Sequence, residues 1–178
     1  MDVQNAIVAR FAADDLLARL NRAISAARAA GVPVVYVRVA FRDGYPEVSP
    51  SNRTFSAIAG QGGYGLDDDA TQIHPAVAPR PGDVVVLKKR VSAFAGSDLA
   101  EVLRAGGVDT LVLTGIATSG VVLSTIRAAA DLDFRLVMLA DGCADADPEV
   151  HRVLIEKVFP RQAEVLTVDA WAEGLTRL

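Results

Sequence analysis

The sequence predicts an α/β protein, a three-layer αβα sandwich built on a parallel sheet. Three observations predict it. Short apolar, β-branched runs alternate with amphipathic, helix-length segments along the chain. The runs are almost continuously apolar, as strands covered on both faces are. The clearest run, Asp109-Thr-Leu-Val-Leu-Thr114, breaks at Gly115 into small hydroxylated residues and then a helix-compatible stretch. That is a buried strand entering a tight turn that caps a helix.

Each element can be justified in order. Leu17, Leu20, Ile24 and Ala27 recur at helical spacing behind Asp14 and Asp15, acids that suit a helix N-terminus. Gly31-Val32-Pro33 ends that helix, and residues 34–39 form a strand. Residues 40–80 hold much Gly, Pro, Ser and Asp and little periodicity, which predicts a lid or an oligomer contact. Phe41, Arg42 and Tyr45 open this excursion and are candidates to close over a ligand. Pro81-Gly82-Asp83 turns into a strand over 84–87. Ser97 caps a helix running through Arg104, which Gly106-Gly107 stops. A strand over 110–114, a helix over 119–132 and a strand over 135–140 follow. Asp147-Pro148-Glu149 opens another helix, with Val150, Val153, Leu154 and Val158 on one face. Residues 164–168 form the last strand, and Trp171 lies in a terminal helix.

The 178 residues suit one domain, 1–178, with a sizeable core. A net charge of −4 argues against nucleic acid and anionic membranes as partners. The apolar runs are far shorter than a membrane span. A single cysteine fits a reducing compartment, and no basic start leads into an apolar core. The expectation is a cytoplasmic protein acting on a small-molecule substrate.

Three motifs carry the chemistry: Asp2-Val3-Gln4-Asn5; Lys88-Lys-Arg-Val-Ser-Ala-Phe94; and Gly115-Ile-Ala-Thr-Ser-Gly-Val-Val122. In this order and at strand ends, they resemble the isochorismatase-like, or cysteine hydrolase, superfamily. The resemblance implies a six-stranded parallel, Rossmann-like sheet in the order 3-2-1-4-5-6. It implies that Asp2 transfers protons and that Lys88 supports the ionised groups. It further implies a cis peptide at Ile116–Ala117, in a turn (Ile116, Ala117, Thr118, Ser119, Gly120) that offers backbone amides to an oxyanion. Phe94 is a candidate substrate wall as well as a core residue. Many family members carry a cysteine nucleophile where this chain has Val121, which has no nucleophilic atom. The family's isochorismatase branch also lacks that thiol and works with an acid, a cation and an oriented pocket. This chain does not match that branch's turn, so no substrate is carried over.

Only Met1 precedes Asp2, where the resemblance calls for about four or five apolar strand residues. The expectation is that the native protein begins upstream. No cofactor is expected. Neither His74 nor His151 has a partner at metal-ligand spacing, and Arg42-Asp43-Gly44-Tyr45 lacks the Asp-x-His pair of the metal-binding nicotinamidases. Cys143, after the fifth strand of that order rather than the fourth, is read as packing. The resemblance also implies homo-oligomers. The leading function is hydrolysis of a small anionic metabolite by an Asp/Lys pair without a thiol. The alternatives are a binding or regulatory protein without turnover, and an amidase using Ser119 or Ser124 instead.

Overall fold

The structure is a computed structural model and describes residues 1–11 and 14–175. Five strands, all paired in parallel, form two sheets: β1 (Val35–Val39) with β2 (Val84–Lys88), and β3 (Thr110–Ile116), β4 (Arg135–Ala144) and β5 (Glu164–Leu166) in that order. Helices α2 (Asp14–Ala29) and α7 (Val168–Leu175) pack on one face of β4 and α5 (Leu123–Asp131) on the other. Leu139 meets Ala23 and Val168 on the first face, whereas Met138 joins Val122, Ile126 and Ala129 on the second. Burial on both faces explains why the strand reads as uniformly apolar. A short helix, α1 (Asn5–Val8), begins three residues after Asp2.

The predicted six-stranded sheet is not what the described residues form. Between β1 and β3 lies only the Met1–Val3 segment. Asp2 N donates to Val37 O (2.8 Å), while Met1 O accepts from Ile116 N (3.2 Å) and the Met1 ammonium donates to Thr114 O (3.1 Å). The described strands thus form a two-stranded and a three-stranded part, bridged by these bonds of Met1 and Asp2. Where the pairing stops, the facing edges of β1 and β3 border an apolar slot of about 220 Å³, lined by Ile24, Val35, Val37, Leu103, Leu111 and Leu113.

The excursion is better ordered than its composition suggests. It contains an unpredicted helix, α3 (Arg53–Gln61), capped by the Asn52 side chain, whose Oδ1 accepts from Phe55 N (3.1 Å). Fully buried Gln4 ties the excursion to the sheet. Its amide donates to Val39 O (2.9 Å) and Thr71 O (2.8 Å), and its oxygen accepts from Val39 N (2.9 Å). Phe41 is not a ligand-closing residue: it is fully buried, with Phe55 and Tyr45 against its ring.

Strands β3 and β4 run beyond the predicted ends. Gly115 pairs with Cys143 and Ile116 with Ala144, after a register shift past Leu113. Helix α4 (Leu99–Ala105) begins two residues after Ser97, whose hydroxyl accepts from Leu99 N (3.4 Å) and donates to Ala93 O (2.6 Å). The predicted helix over 119–132 is a wide turn, Thr118–Val122, followed by α5, with a kink at Gly120 (φ −95°, ψ −106°). Helix α6 (Pro148–Val153) is capped by Asp147, which accepts from Glu149 N (2.8 Å).

Candidate active site

The carboxyl ends of the strands bring the first two motifs together. Asp2, held by Val37 and in the left-handed region (φ 56°), reaches Lys88 at the end of β2. Aspartate is among the few residues that adopt this backbone readily. Lys88 Nζ lies 2.8 Å from Asp2 Oδ2 and donates to Arg90 O (3.0 Å) and Val91 O (3.2 Å), so its three protons have three acceptors. Both side chains are buried, at 2% and 9% exposure. A charge taken out of water needs such a partner. Asp2 Oδ1, also buried, has no hydrogen-bond partner. Burial pushes the Asp2 carboxyl above its ordinary range, and the Lys88 ammonium beside it offsets only part of that. Lys89 points elsewhere. Its Nζ meets Ala40 O, stands 3.7 Å from Glu47 and lies over the Phe41 ring.

The third motif borders the same place. Ile116 donates its amide to Met1 O, and the Ile116–Ala117 peptide is cis, as the sequence resemblance implies. Val121 is 2% exposed, in an apolar cluster against which Met1 and Phe94 also pack. Phe94 stacks obliquely on Phe134 (6.0 Å), and the loop carrying it is fixed by Ala93 N donating to Thr125 Oγ1 (3.0 Å).

Two neighbours escaped sequence reasoning. The fully buried Thr118 hydroxyl is hydrogen-bonded to His151 Nδ1 (2.8 Å), and Ser119 N donates to Asp145 Oδ2 (2.7 Å). Burial alone would raise the Asp145 carboxyl. The hydroxyl and amide of Ser119 and the amides of Asp147 and Ala146 outweigh it and hold the carboxyl low. Ser119, offered above as a substitute nucleophile, is therefore engaged with Asp145. The available signal was topological: β3 and β4 are parallel neighbours, so the loops leaving them meet at one end of the sheet.

Cys143 lies in the β4 ladder, buried, and burial pushes its thiol up to about 12 despite the Gly115 amide beside it. It is a protonated core thiol at neutral pH.

A parallel α/β sandwich with a buried carboxylate–ammonium pair beside the turn after β3 places the molecule among the isochorismatase-like hydrolases. The chain belongs to the isochorismatase family, whose isochorismatase domain matches residues 1–170. It is 35% identical to an uncharacterized isochorismatase family protein, YecD, of Escherichia coli O157:H7, over 88% of this chain and 81% of that protein. It is also 35% identical to the ureidoacrylate amidohydrolase RutB of Stutzerimonas stutzeri, over 96% of this chain and 75% of the relative. Among solved structures it resembles a cysteine hydrolase from Pseudomonas syringae pv. phaseolicola 1448A, with a TM-score of 0.88, 25% identity and coverage of 99% and 90%. N-carbamoylsarcosine amidase from Thermoplasma acidophilum aligns with a TM-score of 0.75 and 26% identity, covering 94% and 93% of the two chains.

Proposed function

We propose that this protein hydrolyses a small anionic metabolite, with Asp2 transferring protons, Lys88 holding Asp2 in place, and no thiol nucleophile. One observation carries the reading: a buried carboxylate with one oxygen on an ammonium and the other without a partner. That oxygen is placed to act as a base. It takes a proton from water as the water oxygen bonds to the substrate carbon, and returns the proton to the leaving nitrogen or oxygen as that bond breaks. A carboxyl whose proton affinity is raised by burial serves both steps. The N-terminal end of the Thr118–Asp131 segment favours an anion. The amidohydrolase and amidase among the similar proteins support a carbon–nitrogen bond as the one cleaved. In the same reading Met1–Val3 occupies the place of a central strand, giving the order 3-2-1-4-5-6.

The test is a screen over amides, vinyl ethers and esters, run beside Asp2→Asn. Turnover is expected to fall about 10²- to 10⁴-fold in Asp2→Asn, the usual worth of a positioned acid–base group. Turnover that survives this substitution would refute the assignment. A second reading, a binding protein without turnover, is favoured by Val121 packing in the core where the family carries a thiol. Binding with no hydrolysis anywhere in the screen would select it.

Position 121 is tested by Val121→Cys. The swap changes little volume, so the fold is expected to survive. Cations and helix N-termini lower thiol pKa values, whereas the Cys143 thiol titrates near 12. Iodoacetamide at neutral pH is expected to label the introduced thiol at least about tenfold faster than Cys143. Equal or slower labelling, with unchanged melting, would mean that position 121 does not face the site.

A further inference from the structure

We propose that His151, through Thr118, is the positioning residue that holds the 117–122 turn against the Asp2–Lys88 pair. The inference rests on the reading of position 121 given above and adds a residue that the three motifs do not contain. The turn does not hold itself. Gly120 departs from helical geometry in its middle, and Ala117 O accepts from both Gly120 N (3.0 Å) and Val122 N (3.3 Å), so the bonding is not that of a regular helix. Its shape is imposed from outside, at two successive residues. Thr118 is completely buried, and its hydroxyl meets His151 Nδ1 at 2.8 Å. Ser119 N meets Asp145 Oδ2 at 2.7 Å. Both restraints come from the loop and helix that follow β4.

The chemistry of the pair suits a fixed support. A buried hydroxyl that loses its partner keeps its full desolvation cost, so the bond resists rearrangement. Burial lowers the His151 imidazole below its ordinary range, with Asp145 opposing, so the ring is neutral at pH 7 and exchanges one hydrogen bond with one hydroxyl. The remaining charged groups of α6 are paired: Arg152 meets Glu149 (2.7 Å) and Glu156 (2.6 Å), the latter just past the helix end. Asp147 caps the helix through the amides of Glu149 and Val150. A shift of Thr118 would move Val121, three residues on, and with it the distance from position 121 to Asp2 and Lys88.

The experiment uses the thiol of Val121→Cys as a reporter, read by alkylation rate and by the pH dependence of thiolate absorbance. Adding His151→Leu is expected to slow alkylation at neutral pH about tenfold, one unit of thiol pKa. His151→Asn, whose side-chain amide reaches the place of Nδ1, is expected to keep the rate within about twofold. Thr118→Val is expected to match His151→Leu, and the two together to add nothing further, as coupled residues do. If His151→Leu lowers the melting temperature but leaves the thiol pKa and rate unchanged, His151 is merely structural and the proposal falls. If Val121→Cys alone labels no faster than Cys143, the reading of position 121 falls first, and this inference with it.

Discussion

Replacing Lys88 by methionine is expected to destabilise the fold by about 3–5 kcal/mol near neutral pH, the cost of leaving one partner of a buried ion pair alone. Asp2 would remain buried with neither oxygen paired, and the carbonyls of Arg90 and Val91 would lose their donor. The effect depends on pH with a definite sign. Burial already raises the Asp2 carboxyl in the folded state, and removing the ammonium raises it further. An acid whose folded pKa lies above its unfolded value stabilises the fold most when protonated in both states. It loses that stability as pH rises through the window between the two values. The deficit of Lys88→Met is therefore smallest at low pH, where Asp2 is protonated in both folds, and grows once the pH passes the raised pKa of Asp2 in the unsubstituted fold. Asp2→Asn combined with Lys88→Met is expected to recover much of the loss, because no unpaired charge remains. Denaturant unfolding across pH measures all three variants. A Lys88→Met deficit that is flat with pH, or that the double variant does not relieve, would show that Asp2 is not the buried charge in question.

Gly115→Ala is expected to cost about 3 kcal/mol, the upper range for overpacking. The residue sits at φ 149°, where side chains are rare, and a Cβ built there would stand 2.3 Å from Met1 O. The Met1 carbonyl cannot yield without breaking its bond from Ile116 N, and Asp2 is the next residue along. Fold and site are therefore expected to suffer together: a lower melting temperature accompanied by loss of the fast labelling at Val121→Cys. Gly174→Ala is the control. A Cβ there meets nothing within 4 Å, and alanine favours the helix by about 0.5–1 kcal/mol. Equal melting shifts for the two variants would refute the close-approach argument.

The same glycine shows where sequence reading succeeded and where it stopped. Gly115 reads as the end of a strand, because glycine commonly punctuates one. In the structure it continues the ladder, and its missing side chain makes room for another backbone. Gly142 misleads in the same way: a Cβ there would press on Thr114 at 2.9 Å within a continuing strand. The Asp2–Lys88 pair was legible because each residue lies in a motif placed at a strand end. The choice of Lys88 over Lys89 follows from its spacing to Ser92-Ala93-Phe94, and the structure agrees, with Lys88 on Asp2 and Lys89 beside Glu47. Helix α3 was not legible. Nine residues containing Ser, Thr and Gly carry too weak a period, and contacts of Phe55 with Phe41 and Tyr64 stabilise it instead. His151 was invisible for a different reason: its partner lies 33 residues earlier, and no local pattern links them.

The buried Gln4 amide has a consequence for watching the molecule move. Its nitrogen donates to Val39 O and Thr71 O, and its side chain is closed off from solvent. Exchange of its protons for deuterium therefore needs the excursion to part from β1. Side-chain amide exchange thus works as a clock for that parting, timed against the exposed Asn21 amide in the same tube. Because Asp2 is two residues away, each tick also records a loosening of the segment that carries the candidate acid–base group.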